Sequence, residues 1–216
     1  MDLDAVLDAA PVVAFPPRGA LVFPHTRLAT ASHLVASVAR AAAHARQPVL
    51  ALGVLHRARD ASASLRGIHA EGGIAAEEFS LDGFRALYER ACSREGITPR
   101  LTTRYPFLVG DHPDDLPGGQ ELTRLAQDRI VVGTGDLVHH GVGYGTAELW
   151  DETLTGTIAF ARSRIEDQLG ALARADFPLF NRLCSRDLSD FRDVGPVLAG
   201  LFPDALWKLE NLGLVD

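Results

Sequence analysis

Cysteine is scarce in this sequence, with only two among its 216 residues. Cys92 and Cys184 form no Cys-x-x-Cys pair, so neither a disulfide framework nor a structural zinc site can be read from them. Such a composition fits a reducing compartment. We therefore expect a cytoplasmic protein.

Basic residues and long apolar runs are also few. Lys and Arg number 21 against 28 Asp and Glu, which gives a formal net charge of −7. This balance argues against binding to nucleic acid or to an anionic membrane, because both bind clustered basic residues. No stretch approaches the roughly 18 apolar residues of a membrane span, and the acidic N-terminus lacks the basic n-region of a signal peptide. Small molecules or other proteins are the expected partners.

What the sequence does contain is an alternation of strand and helix patterns. Prolines break the apolar stretch 10–26 into short strands, residues 29–47 have helical spacing, and the apolar run 48–57 is typical of a buried parallel strand. Further helices are predicted at 80–96, 119–128, 150–173, 176–186, 193–202 and 204–211, and further strands at 105–110 and 129–135. We predict a single α/β domain over residues 1–216, with a central, mostly parallel or mixed sheet and helices on both faces.

Three of the eight histidines follow predicted strands. His25 closes LVFPHT, His56 closes VLALGVLH, and His139 lies just past VVGTG. If these strands are parallel neighbours, the imidazoles meet at the rim where open α/β sheets bind ligands. A single histidine after a strand is more often a hydrogen-bonded loop residue, but three at one rim indicate a metal or acid–base site.

The segment VVGTGDLVHHGVGYG at 131–145 adds a carboxylate to this set. Asp136 and His139 form Asp-x-x-His, in which the carboxylate could orient an imidazole or a metal-bound water. The glycines permit left-handed backbone angles and close approach of a ligand to the main chain. The segment has no GK[ST] ending and is therefore not a P-loop. The role of His140 is left open.

Together, FPH at 23–25, ALGVLH at 51–56, PFLVG at 106–110 and the segment 131–145 resemble the Memo family and its relatives, the class III (LigB-type) extradiol dioxygenases. The GTGDLVH stretch is similar to the GSGDLSH-like segment of those dioxygenases. The resemblance runs from about residue 20 to 146 in order and spacing. It implies a LigB/Memo-like fold and an Fe(II) ion held by two histidines and a carboxylate, with Zn or Cu as other metals.

Site residues follow from the same resemblance. It implies that His25 and His56 bind the metal, and that His139 acts as general acid/base. Asp136 would orient His139. The family's cysteine segment has its closest counterpart in 190-DFRDVGPVLAGL-201, where an arginine takes the cysteine's place, so the third metal ligand stays open.

The remaining candidates for the site form two groups. The third-ligand candidates are Asp190, Asp193, Cys184, Glu77 and Glu78. Helix capping is an alternative role for Asp190 and Asp193. The candidate substrate-binding residues are Thr26, Arg57 and Tyr144.

These residues support three functions. The first is a non-haem Fe(II)-dependent ring-cleavage dioxygenase that acts with O₂ on a small phenolic or catechol-like aromatic substrate. The second is a Memo-like metal-binding or protein-interaction module without dioxygenase activity, which is favoured by PHTRL at 24–28, where the family has PHAGY. The third is a zinc hydrolase with His139 as base. Edge strands and apolar helices leave a homodimer open.

Overall fold

The chain folds around a five-stranded mixed sheet. The computed structural model describes residues 1–26, 28–56, 65–108, 112–114, 116–146 and 154–210. Within these ranges the strands are β1 Ala20–Phe23, β2 Val49–Leu52, β3 Gly67–Ala70, β4 Leu101–Phe107 and β5 Ile130–Thr134. The order of the strands in the sheet is β1-β5-β2-β4-β3. Strands β1, β5, β2 and β4 are parallel, and β3 pairs antiparallel with β4. The predicted α/β class with a mixed sheet is confirmed.

Helices cover both faces of this sheet. In the described ranges they are α1 Leu3–Ala9, α2 Leu28–His44, α3 Asp82–Arg94, α4 Gly119–Gln127, α5 Leu154–Ala173, α6 Phe177–Asp187 and α7 Val194–Leu201. Val49 and Ala51 of β2 pack in one apolar cluster with α1, α2 and α3, whereas Leu50 and Leu52 pack in a second with α4 to α7. Successive side chains of a strand point to opposite faces, so β2 fills both clusters. None of the described helices is long and apolar enough to cross a membrane.

Helix α1 was not among the predicted elements. It begins at Asp2, whose carboxylate accepts hydrogen bonds from the backbone N–H groups of Asp4 and Ala5. Such an N-cap satisfies donors that a helix leaves unpaired. Arg40 of α2 then donates to two carbonyl groups at the other end of α1. The acidic N-cap residue was the sequence signal for this helix.

Three other predictions differ from the structure. Of the strands expected in 10–26, only β1 forms. Strand β3 was not predicted, because four residues that include a glycine give little strand pattern. The predicted helix at 204–211 is wrong over its described part, since 205–210 have no regular structure. A short helix needs an apolar face to pack, and here Trp207 packs on Phe191 while Leu206 is 96 % exposed.

The strand order brings the carboxyl ends of β1, β5 and β2 side by side. His25 follows β1, Asp136 follows β5, and His56 follows β2. The connection between α6 and α7 contains Asp190 and hydrogen-bonds to the segment after β5. One edge of the sheet therefore collects side chains from four distant parts of the chain.

Candidate metal centre

Three imidazoles and two carboxylates meet at this edge: His25, His56, His139, Asp136 and Asp190, here called the histidine–aspartate cluster. Nε2 of His25 lies 3.1 Å from Nε2 of His56 and 3.1 Å from Oδ2 of Asp190. Oδ2 of Asp190 lies 3.8 Å from Nε2 of both His56 and His139. Oδ2 of Asp136 lies 3.7 Å from Nε2 of His139. The structure thus brings together the three strand-end histidines.

Two of the separations in this cluster are close to those between ligands of one metal ion. Bonds of about 2.1 Å place neighbouring ligands about 3.0 Å apart in octahedral geometry and about 3.4 Å apart in tetrahedral geometry. The three distances among His25, His56 and Asp190 are 3.1, 3.1 and 3.8 Å. These three residues form one group able to hold an ion, and Asp136, His139 and Asp190 form a second.

The Nδ1 atoms of His56 and His139 are both tied to acceptors. Nδ1 of His56 lies 2.7 Å from Oε1 of Glu78, and Nδ1 of His139 lies 2.7 Å from the carbonyl oxygen of Leu188. A carbonyl or carboxylate oxygen only accepts, so each Nδ1 carries the proton. When either ring is neutral, its Nε2 therefore has a lone pair.

The same tautomer holds for His25. The hydroxyl of Thr134 donates to the carbonyl of Phe23 at 2.8 Å, so its oxygen accepts from Nδ1 of His25 at 3.3 Å. The Nε2 atoms of His25 and His56 then face each other across 3.1 Å as two acceptors. Two lone pairs at that distance repel unless a cation or a shared proton lies between them. The donor set accordingly fits a metal ion.

The charges of the site also favour a cation. Burial lowers the pKa of His56, but its interactions with the carboxylates of Asp190 and Glu78 outweigh burial and raise that pKa to about 9. Burial acts to raise the pKa of Asp190, yet its interactions with the imidazoles of His25 and His56 hold that pKa well below its usual range. The nearby carboxylate of Asp136 raises the pKa of His139. Without a metal, the site holds protons instead.

Glu78, a candidate third ligand, lies behind His56. Its Oε1 accepts from Nδ1 of His56 and its Oε2 accepts from the backbone N–H of the same residue, each at 2.7 Å. Burial acts to raise the pKa of Glu78, but these hydrogen bonds lower it below the usual range. Glu78 therefore orients His56. Its neighbour Glu77 is exposed.

Asp190 is the third-ligand candidate that reaches His25 and His56. Its Oδ1 accepts from the backbone N–H of Asp136 at 2.7 Å, which leaves Oδ2 toward the imidazoles. Gly135 permits this approach, since a Cβ there would lie 2.8 Å from the Cα of Phe191. That glycine serves close packing, whereas Gly141, with φ of 112°, needs the left-handed freedom that sequence reasoning assigned to the glycines.

The other two candidates point elsewhere. Oδ1 of Asp193, also predicted as a ligand, accepts from the backbone N–H of Leu108 at 2.9 Å, and burial raises the pKa of Asp193. Its side chain makes no capping hydrogen bond to α7. Burial raises the pKa of Cys184 to about 12, and its Sγ donates to Gln168. Neither residue belongs to the ion-holding groups found among the described residues.

The predicted substrate-binding residues have different outcomes. Thr26 lines, beside His25, a cavity of about 80 Å³ between β1, α2 and the start of α3. Tyr144 lies with its ring 5.0 Å from that of His139. Arg57 lies outside the described residues. His140 packs edge-on against Phe160 at 5.1 Å, and burial lowers its pKa.

Phe79 was missed by the sequence reasoning. Its ring stacks on the His56 imidazole with centroids 4.6 Å apart and planes 12° apart. The available signal was a lone aromatic inside the acidic segment EEFSLD.

No protein-family model matches the chain, and no curated protein matches it. The function is therefore inferred from the chemistry of the site.

Proposed function

We propose that this chain is a LigB/Memo-like, non-haem Fe(II)-dependent extradiol dioxygenase that acts on a small phenolic or catechol-like substrate with O₂. The main support is one observation: Nε2 of His25, Nε2 of His56 and Oδ2 of Asp190 lie 3.1 to 3.8 Å apart. Two histidines and one carboxylate are the facial triad of non-haem Fe(II) oxygenases, which leaves coordination positions open for substrate and O₂.

Fe(II) held by these residues would supply the redox chemistry of O₂ addition to the ring. The chain itself supplies proton transfer. Nε2 of His139 carries the lone pair, because Nδ1 donates to Leu188, and its side chain is 18 % exposed. It can take a proton from a substrate hydroxyl and return it later.

Asp136 assists this proton transfer. Its Oδ2 lies 3.7 Å from Nε2 of His139 and stabilises the imidazolium that forms. Its Oδ1 accepts from the backbone N–H of His25 at 3.1 Å, which fixes the carboxylate in place. Asp136 thus links the proton-transfer group to the metal-binding group.

A metal-binding module without dioxygenase activity is the second candidate. The observation that favours it is that Nε2 of His139 lies as far from Oδ2 of Asp190, 3.8 Å, as Nε2 of His56 does. If His139 is a fourth ligand, the protein closes the coordination shell of a zinc or copper ion. Closed four-ligand sites are structural, whereas catalytic sites keep an open position.

Metal analysis of protein purified without oxygen, combined with O₂ uptake on a catechol panel, tests both candidates. The dioxygenase predicts one iron per chain, catechol-dependent O₂ uptake, and loss of iron from His25→Ala and His56→Ala. Zinc or copper without O₂ uptake would support the second candidate. Unchanged metal content in both histidine variants would contradict both.

A further inference from the structure

Two exposed aromatic rings border the histidine–aspartate cluster. Phe79 is 55 % exposed and Tyr144 is 52 % exposed. Phe79 stacks on the imidazole of His56 and also approaches His25 edge-on, with centroids 6.4 Å apart. Tyr144 lies against the imidazole of His139, with planes inclined at 40°. Each ring contacts a different imidazole, so the approach to the site has aromatic borders.

The position of Phe79 is fixed by its neighbours in the chain. Its backbone N–H donates to Oε1 of Glu78 at 3.0 Å. The hydroxyl of Ser80, which is buried, donates to the carbonyl of Val54 and accepts from its N–H. Both flanking residues are thereby hydrogen-bonded to the segment that carries His56. The ring is therefore held at the surface rather than in the core, where large aromatic side chains gain most from burial.

Several other exposed apolar residues are close in the sequence to residues that form or support the cluster. Nine large hydrophobic residues are exposed in the described part of the chain. Five of them lie within five residues, along the chain, of a residue that forms or supports the cluster: Ile74, Phe79, Val142, Tyr144 and Leu188. Exposed apolar residues scattered singly need no explanation, so Phe79 and Tyr144, whose rings contact imidazoles of the cluster, are the two that bear on the site.

We propose that Phe79 is a substrate-positioning residue, whose ring stacks against a planar aromatic substrate and holds it over the cluster. This inference rests on the proposed function for the class of substrate. Asp136 and His139, with side chains 15 % and 18 % exposed, supply the acceptors that the substrate's hydroxyl groups need. The apolar ring of Phe79 and the polar side chains of Asp136 and His139 together select a flat ring that carries adjacent hydroxyl groups.

Calorimetry without oxygen tests this role in the metal-loaded protein, with catechol and trans-cyclohexane-1,2-diol as probes. The diol has two neighbouring hydroxyl groups but no flat ring. Phe79→Ala should weaken catechol binding about tenfold, because it removes an aromatic stacking partner. Phe79→Tyr, which keeps the ring, should stay within about twofold of wild type. The diol should bind weakly and equally to all of them.

Two further variants serve as controls. Leu206→Ala removes a side chain that is 96 % exposed and makes no contact with the cluster in the described residues, and it should bind catechol normally. Phe79→Leu keeps apolar packing on His56 without a flat ring, so it should retain the metal and still bind catechol more weakly. Metal content measured on each variant separates stacking from damage to His56.

O₂ uptake, measured separately, distinguishes this inference from the proposed function. Catechol binding that depends on Phe79, without O₂ uptake, would support the positioning role and overturn the dioxygenase. O₂ uptake with the same KM in Phe79→Ala and Phe79→Leu would overturn the positioning role alone, whereas a raised KM with little change in kcat would support it. Failure of the wild-type protein to bind catechol would overturn the inference.

Discussion

His56 and His139 both place Nε2 at 3.8 Å from Oδ2 of Asp190, but different groups hold their Nδ1 atoms. The partner of His56 is Glu78, a side-chain carboxylate that is only 1 % exposed. The partner of His139 is the main-chain carbonyl of Leu188, a neutral group. The two imidazoles are equally far from Asp190, but the Nδ1 partner of one is a charged carboxylate and that of the other is a neutral carbonyl.

This difference indicates a division of labour. A carboxylate hydrogen-bonded to Nδ1 makes Nε2 a stronger electron-pair donor and fixes the orientation of the imidazole, as is usual for metal ligands. A carbonyl fixes the tautomer without adding charge, which suits a group that must gain and lose a proton. Leu188 itself has a φ of 52°, an unusual conformation for a leucine. Leu188, at the end of α6, keeps this conformation, and its carbonyl orients His139.

Replacing the shared carboxylate should have the largest effect. Asp190→Asn keeps an acceptor for the N–H of Asp136 but loses the anionic ligand, and we expect metal affinity to fall about 1,000-fold, as for loss of one ligand of a few. Titration with Fe(II) under nitrogen measures this. The matched control is Asp193→Asn, which should bind metal normally because Asp193 faces Leu108. The reverse result would identify Asp193 as the ligand.

Replacing His139 tests the other half of the comparison. His139→Gln should keep the metal and slow O₂ uptake about 100-fold, the usual contribution of a general acid/base. Metal content and kcat are measured on the same preparation. His33→Gln, an exposed histidine of α2, should change neither. Loss of metal from His139→Gln would mean that the two imidazoles have the same role.

Neutralising Glu78 should have a smaller effect. Glu78→Gln keeps the size and removes the charge behind His56, and we expect metal affinity to fall about 30-fold, within the range for such supporting groups. Glu77→Gln changes an exposed neighbour and serves as the control. If both variants bind Fe(II) like the wild type, the contrast between the two imidazoles has no energetic basis.

A change of one pH unit should have the smallest of these effects. With the pKa of His56 raised to about 9, a metal must displace a proton, so affinity should rise about tenfold per pH unit up to about pH 9. The raised pKa also stabilises the metal-free fold. That stability is complete below about pH 6.5 and is lost as pH rises through about 9. Melting temperatures with and without Fe(II) should therefore diverge from pH 7 to 9.5, and a constant gap would contradict this.

The fold could be predicted where one element carries its own pattern. The apolar run that contains β2 and the alanine-rich stretch of α2 are examples, because their burial repeats along the chain. Strand β3 depends on pairing with β4, and the stretch 205–210 has an irregular course with Trp207 packed on Phe191. Such features depend on tertiary contacts, which local spacing does not encode.

The site divides in the same way. His25, His56 and His139 could be predicted because parallel strands end at a common edge. The place of Asp190 depends on how the α6–α7 connection packs against Gly135, and several acidic residues were equal candidates before that packing was seen. The side chain of Glu78 is buried and that of Phe79 is exposed, and the spacing of residues in the sequence does not reveal this difference.

The position of Asp190 in the chain also matters during synthesis. The two histidines proposed to bind the metal are synthesised early, whereas Asp190 follows 134 residues after His56. Hydrogen bonds between the segments around Asp136 and Asp190 hold this carboxylate in the cluster. If the cluster holds a metal as proposed, an incompletely folded chain has an incomplete set of ligands.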